Sequence, residues 1–558
     1  MPGLNNDNIR LHPIRFFTFV CYLFALSGCA SIVSTSSHVE VDGKRSPVEN
    51  RKRIASQEVD SNKELRPQDN LSLNKSRFSL IAPELLKRDL EQLVSKIIEI
   101  HPEPFELISE ISFRKKTSIV QQSFRYPITR SEFYLRVAPL ITEIRDIHTQ
   151  LHLPKSLANE LSFGEQPGEN KNTKLFPLAV LHEETGLYIA ADLSHMPTVP
   201  IGARLTEINN APIDFLLSVM KRLTVYETEA GLRRKIQINF PWLLAVMGYA
   251  DNEYEISYQW RGENYSKRVV GIVPVNKERD ASRKNTNKDV KPNSLQSFYG
   301  FSQLSHQTAL LWFNDFNEHP KKFKKFLKQH FKQFAGNGLA NLIIDLRYND
   351  GGLSKNIRTF LSYLTSQPIH WNQVGEIKIS KPLKALHKKK TRQLRQSKYQ
   401  WGLQWLPLEW TDYLQYEISW SGIGEKVAVE FEPIEPADVM APPNIIVLTN
   451  GYCFSACSAF VATVNKENLA VTMGEMPGNF ARVQYGYPIE TELNHSQLVL
   501  TLPTMKLLFQ EDWLDRKQTL QSKDSLIRPK IESIRSRQQI EDREDMLLNS
   551  ALLKLEGE

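Results

Sequence analysis

Cysteine is scarce in this sequence, with four residues in 558, which excludes a disulfide-stapled mini-protein. Neither charge sign dominates: 70 basic side chains against 63 acidic ones leave a formal charge of +7. Spread over this length, that is too dilute to mark a nucleic-acid binder. Glycine (25) and proline (30) are far too few for a collagen repeat. The apolar run near the N-terminus, Phe16 to Leu26, has eleven residues, whereas a bilayer-spanning helix needs about 20. The Gly-x-Ser-x-Gly elbow, the P-loop, the dinucleotide fingerprint and any internal repeat are all missing. What is present is ordinary globular composition, 41% hydrophobic and 24% charged, which excludes a wholly disordered chain. At roughly 150 residues per domain, the length implies about three to four modules.

Arg10 and Arg15 precede the short apolar run, and Ser27-Gly28-Cys29-Ala30-Ser31 follows it. A positive start, a short apolar stretch and small residues at a cleavage point describe an export signal. Leu26-Ser27-Gly28-Cys29 resembles the lipobox of bacterial lipoproteins. The resemblance implies cleavage before Cys29, lipidation of its thiol and new N-terminus, and a membrane anchor; an unlipidated signal with a chance cysteine is the plainer reading. Ala30 after the cysteine fits outer-membrane sorting, so the expected location is the bacterial cell envelope, facing the periplasm. Residues 1–28 are then the lipoprotein signal peptide. Residues 29–79, rich in Ser, Asn, Lys and Glu, form a flexible tether.

Residues 80–160 read as an N-terminal helical domain. Leu85, Leu86, Leu90, Leu93, Val94, Ile97 and Ile98 recur at helical spacing, and a second helical stretch from Ser131 carries Pro139 as a point of kinking. From 175 to 275 the pattern is strand-like, as in Gly186-Leu-Tyr-Ile-Ala-Ala and Glu253-Tyr-Glu-Ile-Ser-Tyr. Inside it, Gly202-Ala-Arg-Leu205-Thr-Glu-Ile208-Asn209-Asn-Ala-Pro212-Ile213 resembles the core of a PDZ domain, which takes a peptide as an added strand; an ordinary hairpin and helix is the alternative. Residues 276–297 are almost entirely polar and read as a linker. From 298 to 555 strands alternate with helices, which points to an α/β core. A basic insertion interrupts it at about 372–440. There Lys378, Lys381, Lys384, Lys388, Lys389, Lys390, Arg392, Arg395 and Lys398 share a window without an acidic residue. The insertion reads either as a patch for anionic lipid heads or cell-wall polymers, or as a solvated helix face.

Two segments carry candidate chemistry. In Leu342-Ile-Ile-Asp345-Leu346-Arg347-Tyr348-Asn349-Asp350-Gly351-Gly352 a buried strand ends in a glycine turn, and paired glycines let backbone N–H groups point outward as an oxyanion hole requires. In Leu448-Thr-Asn450-Gly451-Tyr-Cys453-Phe454-Ser455-Ala456-Cys457-Ser458 a strand meets a helix through a tight turn. Ser455 falls there near a helix N-terminus, where the dipole favours a developing anion. The plain alternatives are an N-cap serine and an ordinary Asn-Asp-Gly-Gly turn.

Together these segments resemble the S41 serine peptidases, which include the C-terminal processing proteases and the tricorn core. Asp-Leu-Arg-x-Asn-x-Gly-Gly is that family's signature, here Asp345 to Gly352, and its Ser-Ala pair opening a helix matches Ser455-Ala456. His101-Pro-Glu-Pro-Phe105, Asp146-Ile-His148-Thr149, Leu502-Pro503-Thr504 and Arg543-Glu-Asp545-Met-Leu-Leu resemble further family segments in order, so the likeness spans about 81 to 555. It implies an α/β fold with a ClpP/crotonase-like peptidase core and Ser455 as nucleophile on a peptide carbonyl. It also implies an oxyanion hole from the N–H groups of Ala456 and of Gly351 or Gly352. A serine hydroxyl needs a positioned base, and two are implied by different branches. The processing proteases use a Lys followed by a Gln; here those positions are Phe480 and Gln484, and Arg482 cannot serve because guanidinium stays protonated. The tricorn branch uses a His matching His148, preceded by Ser where this chain has Ile147; Glu475 is the candidate for its orienting carboxylate.

Other chemistries fit less well. His148 and His152 are four apart, but Thr149 stands where a metalloprotease glutamate belongs and Gln-Leu-His-Leu-Pro154 reads as a strand, so neither metal nor cofactor is expected. Cys453 and Cys457 flank Ser455; a bridge across so tight a turn implies strain, so reduced thiols are expected. The sequence therefore predicts an envelope-tethered serine endopeptidase acting on unfolded or C-terminal polypeptide segments. The rival, supported by Phe480 and Ile147, is an impaired S41-like protein that binds peptides or a partner.

Overall fold

A computed structural model describes residues 80–153, 174–194, 197–272, 299–369, 374–400, 418–480, 483–508, 526–533 and 545–557. Cys29, the tether and the expected linker lie outside these residues, as does Arg482.

Proline at the first turn of α1 (Pro83–Ile100) presets helical backbone, and Leu86, Leu90, Leu93, Val94, Ile97 and Ile100 fall on its buried face. Ser109 caps α2 (Glu110–Gln122), and a reciprocal Thr129/Glu132 capping box opens α3 (Arg130–Thr142), which continues past Pro139. The chain then turns through Asp146–Thr149 into β1 (Gln150–His152), extended as the sequence predicts.

Strands β2 (Leu178–Glu183), β3 (Gly186–Asp192), β4 (Arg204–Ile208) and β5 (Ala211–Pro212) come next, then α4 (Ile213–Leu223), α5 (Glu229–Leu244), β6 (Glu253–Trp260) and β7 (Glu263–Val270). They build an antiparallel sheet of order β2-β3-β4-β6-β7, with β5 on β4. Asn209 and Asn210 make the β4–β5 turn at φ of 47° and 60°, a conformation asparagine tolerates better than most residues. One hydrophobic core runs through this sheet and the N-terminal helices alike, joining Leu86 and Phe133 to Phe240 and Ile256.

The α/β core comprises β8 (Tyr299–Gln303), β9 (Thr308–Phe313), α6 (Pro320–Gly336), β10 (Asn341–Asp345), α7 (Ser354–Leu364), β11 (Val374–Lys378), α8 (Lys381–Gln400), β12 (Lys426–Glu430) and β13 (Asn444–Thr449). It continues with α9 (Ala456–Lys466), β14 (Val471–Gly474), β15 (Val483–Gly486), β16 (Ile489–Glu492), β17 (Val499–Leu502), β18 (Met505–Leu508), β19 (Ile531–Glu532) and α10 (Met546–Glu556). The main sheet has the order β19-β14-β13-β10-β9-β8, parallel except for β8. Helices cover both faces, which is why all five residues of β10 are buried. Leu342 and Ile344 face α6, α7 and α9, while Ile343 faces α10.

The predicted insertion supplies β11 and β12, which join β18 and β15 in a second sheet of order β12-β11-β18-β15. The basic window falls on α8. Lys378, at the end of β11, donates from Nζ to the carbonyls of Ile98 (2.6 Å) and His101 (3.0 Å), closing the C-terminus of α1 with a cation. β1 pairs with β17 in a third sheet of order β1-β17-β16, whose Ile489, Leu500 and Leu502 pack into the core of the N-terminal helices that precede His148. Among the described residues, no helix is long and apolar enough to cross a membrane.

Candidate active site

The parallel register aligns Asp345 with Leu448, so the two candidate segments leave neighbouring strands at the same end of the sheet. Ligand sites in open parallel sheets lie at this carboxyl edge. Arg347 fixes the first segment. Its guanidinium donates to Asp345 at 2.9 and 2.8 Å and to Asp545, the N-cap of α10, at 2.6 and 2.7 Å. The most specific residues of the signature therefore clamp the strand end to the C-terminal helix and do not themselves point at Ser455.

After β13 the chain turns sharply. A Cβ on Gly451 would stand 2.3 Å from the Ala230 carbonyl oxygen, so only glycine lets the turn pass beneath α5. Ser455 has φ 52° and ψ −124°, outside the regions a side-chain-bearing residue ordinarily occupies. Such strain costs about 1–3 kcal/mol and persists only where surroundings impose it. Here Phe454 N–H donates to the Asn349 carbonyl (3.2 Å), Ser455 N–H to Asn479 Oδ1 (2.6 Å) and Cys457 N–H to the Phe454 carbonyl (3.0 Å). Ser455 sits at the N-cap of α9, yet its side chain makes no capping bond. Its hydroxyl is instead 3.0 Å from His148 Nε2.

The two residues are 307 positions apart in sequence. His148 is oriented by its own turn: Asp146 Oδ1 accepts the His148 backbone N–H at 3.0 Å and lies 3.4 Å from its Nδ1. Asp146 Oδ2 accepts the Thr149 hydroxyl at 2.7 Å and faces His101 Nε2 at 3.3 Å. His101 Nδ1 accepts the Glu103 N–H at 3.0 Å, which leaves Nε2 as the protonated nitrogen and makes it a donor to Asp146. Burial by itself raises the Asp146 pKa, but the bonds and charges of His101 and His148 outweigh it and hold the carboxyl well below the usual range. An ionised carboxylate thus stands behind the imidazole. The sequence offered His101 and Asp146 only as loose family likenesses; their contact is tertiary.

Gly351 (φ 105°) lies against Ser455: a Cβ there would be 2.9 Å from Ser455 Cβ and 3.1 Å from Ala456 N. Its N–H, however, donates to Asn349 Oδ1 at 2.9 Å. Of the predicted glycine donors, Gly352 is the one whose N–H has no partner among the described residues.

Three expectations need correction. Glu475 does not orient His148; its carboxylate pairs with the buried Arg234, which also holds Glu183, and accepts Gly451 N–H at 3.4 Å. Gln484 is not brought to Ser455; it sits on β15 opposite Leu507 and donates to the Phe480 carbonyl at 3.5 Å. Cys453 and Cys457 are joined in a disulfide rather than reduced. The reversal at Ser455 folds the strand end back on the first turn of α9 and leaves their Cα atoms 5.3 Å apart, a distance a bridge spans readily. Asn479, missed in the sequence, is fully buried and also accepts the Ser458 hydroxyl at 3.2 Å.

Residues 307–519 match Peptidase family S41. Over that stretch the chain is similar to the S41 peptidases. It is a serine-type peptidase. The matched stretch contains the glycine turn and Ser455 but not His148, which the fold delivers from the N-terminal helices. The fold is similar to that of mature CPAF, with a TM-score of 0.57 at 14% identity over 85% of this chain and 97% of that one. The structure of mature CPAF complexed with lactacystin gives the same score and identity over 85% and 100%. No curated protein matches the chain.

Proposed function

We propose that this S41-like peptidase is an envelope-tethered serine endopeptidase that cleaves unfolded or C-terminal polypeptide segments through Ser455. The observation that supports this most is the 3.0 Å approach of His148 Nε2 to a serine hydroxyl that has no capping duty. His148 takes the Ser455 proton as the oxygen attacks the scissile carbonyl. Asp146 stabilises the imidazolium that forms and keeps the ring turned toward the serine. The tetrahedral oxyanion settles against the N–H groups of Ala456, at the start of α9, and Gly352; one such donor is typically worth ~10²–10³ in rate. His148 then passes its proton to the leaving amine, and water releases the acyl group by the reverse sequence.

Cys29 carries the tether in this reading, with lipidation holding the body at the periplasmic face of the outer membrane. The β2–β7 unit serves as a PDZ-like module that receives an extended peptide. The 3.0 Å contact favours an active enzyme over an impaired peptide binder.

The full chain, extracted in detergent, is assayed on an unfolded polypeptide beside its Ser455→Ala and His148→Ala variants. Loss of cleavage in both variants is the expected result; cleavage that survives Ser455→Ala overturns the site. Acylation is read by the mass of the mature N-terminus, which Cys29→Ser is expected to strip of its lipid.

A further inference from the structure

The turn between α4 and α5, Tyr226-Glu227-Thr228, touches both halves of the site. Arg145, beside the His148 turn, donates to the Glu227 carbonyl at 2.7 Å and lays its guanidinium 4.4 Å above the Tyr226 ring centre. Thr228 Oγ1 donates to the Pro477 carbonyl at 3.0 Å. Between them the Glu227 side chain is 3% exposed, and its two oxygens diverge. Oε1 accepts the N–H of Ile147, the residue before His148, at 3.2 Å. Oε2 accepts the N–H of Phe480, the residue after Asn479, at 2.8 Å. Asn479 in turn holds the Ser455 N–H.

We propose that Glu227 is a positioning residue for hydrolysis: one carboxylate holds the backbone behind the base and the backbone behind the nucleophile, and so sets the His148–Ser455 separation. This rests on the reading of His148 as the base. The chemistry suits the task, because a carboxylate is acceptor-only and both groups facing it are donors. The location is costly. Burial, then the nearby Asp146, raises the Glu227 pKa to about 7, against the N–H bonds of Phe480 and Ile147 and the Asn479 amide. Lys235 on α5 is the compensating charge; burial lowers its pKa to about 8 while Glu227 and Asp146 oppose the shift. An acid kept in so unfavourable a place does something that a neutral side chain does less well.

Glu227→Gln keeps shape and volume but turns an amide N–H₂ toward one of the two donors. The full chain is assayed for kcat, KM and the rate at which a fluorophosphonate acylates Ser455, counted per folded molecule. A displacement of about 1 Å costs up to ~10²-fold in rate, so kcat and acylation are expected to fall together by roughly 10- to 100-fold with KM unchanged. Glu227→Asp, which restores the charge on a shorter arm, is expected to recover part of that loss. In a His148→Ala background, Glu227→Gln is expected to cost nothing further, because its effect passes through the imidazole. Wild-type kcat in folded Glu227→Gln and Glu227→Asp, or an equal loss with and without His148, overturns the proposal. Undiminished cleavage by His148→Ala alone overturns the underlying reading of the base instead.

Discussion

Asparagine in place of Asp146 removes one negative charge and almost no volume. The aspartate is 1% exposed and its nearer oxygen lies 3.4 Å from His148 Nδ1. At an effective dielectric constant of about 20, unit charges at that separation attract by about 5 kcal/mol. That attraction exists only once the imidazole is protonated, in the transition state, so its loss slows the chemical step by about 10³–10⁴-fold. His101 also donates to this carboxylate, and asparagine offers it a neutral oxygen in return, which places the expected loss nearer 10³-fold. The assay is kcat and KM on an unfolded polypeptide with a quenched fluorophore, beside a thermal melt. A fall in kcat with unchanged KM and a retained cooperative melt is the expected outcome. A folded Asp146→Asn protein whose kcat stays within about tenfold of wild type refutes the assignment of Asp146 as the group that stabilises the imidazolium.

Gly351→Ala places a methyl group 2.8 Å from the Phe454 carbonyl oxygen at a φ of 105°; it is expected to cost about 1–3 kcal/mol in the melt and to slow acylation of Ser455 by at least ~10²-fold. Replacing Cys453 and Cys457 together by alanine opens a loop of sequence separation 4, and the loss of chain restriction is about 2 kcal/mol, read as a melting temperature lower by a few degrees that no longer responds to a dithiol reductant. Stability also carries a mark of Glu227. Its pKa rises from 4.5 to about 7 on folding, so between those values the native state binds more protons and stability falls as pH rises, by about 3 kcal/mol in all. The melting-temperature difference between Glu227→Gln and wild type is therefore expected to move in the variant's favour between pH 5 and pH 7, and no movement refutes the shift.

Much of the core was legible because it is local. Leu342–Leu346 and Asn444–Thr449 are short apolar runs bounded by turn residues, and they became β10 and β13. Ser455, His148 and the glycine pair were readable as residue types in family-like spacing. What escaped was partnership across the fold. Nothing in the order of residues says that Asp146, two positions before His148, stands behind its ring while Glu475 faces Arg234. The bridge between Cys453 and Cys457 depends on the positive φ of Ser455, which an alternation of strand and helix does not reveal. Glu227 was hidden for a related reason: an acid just before a helix reads as a surface charge, and only its tertiary contacts with Ile147 and Phe480 show it to be buried.

His148 and Ser455 arrive on different hydrophobic assemblies, Ile144 and Leu151 in the core of the N-terminal helices and Cys453 and Ala456 in that of the parallel sheet, which meet at Ile147, Tyr452 and Phe454. Folding and activity are for that reason separable properties of this chain. In the proposed mechanism, a relative shift of the two assemblies by the width of one hydrogen bond silences hydrolysis while the sheet, the serine turn and the disulfide all remain whole. Inactivity in a well-folded variant therefore directs attention to the seam between them before the serine itself.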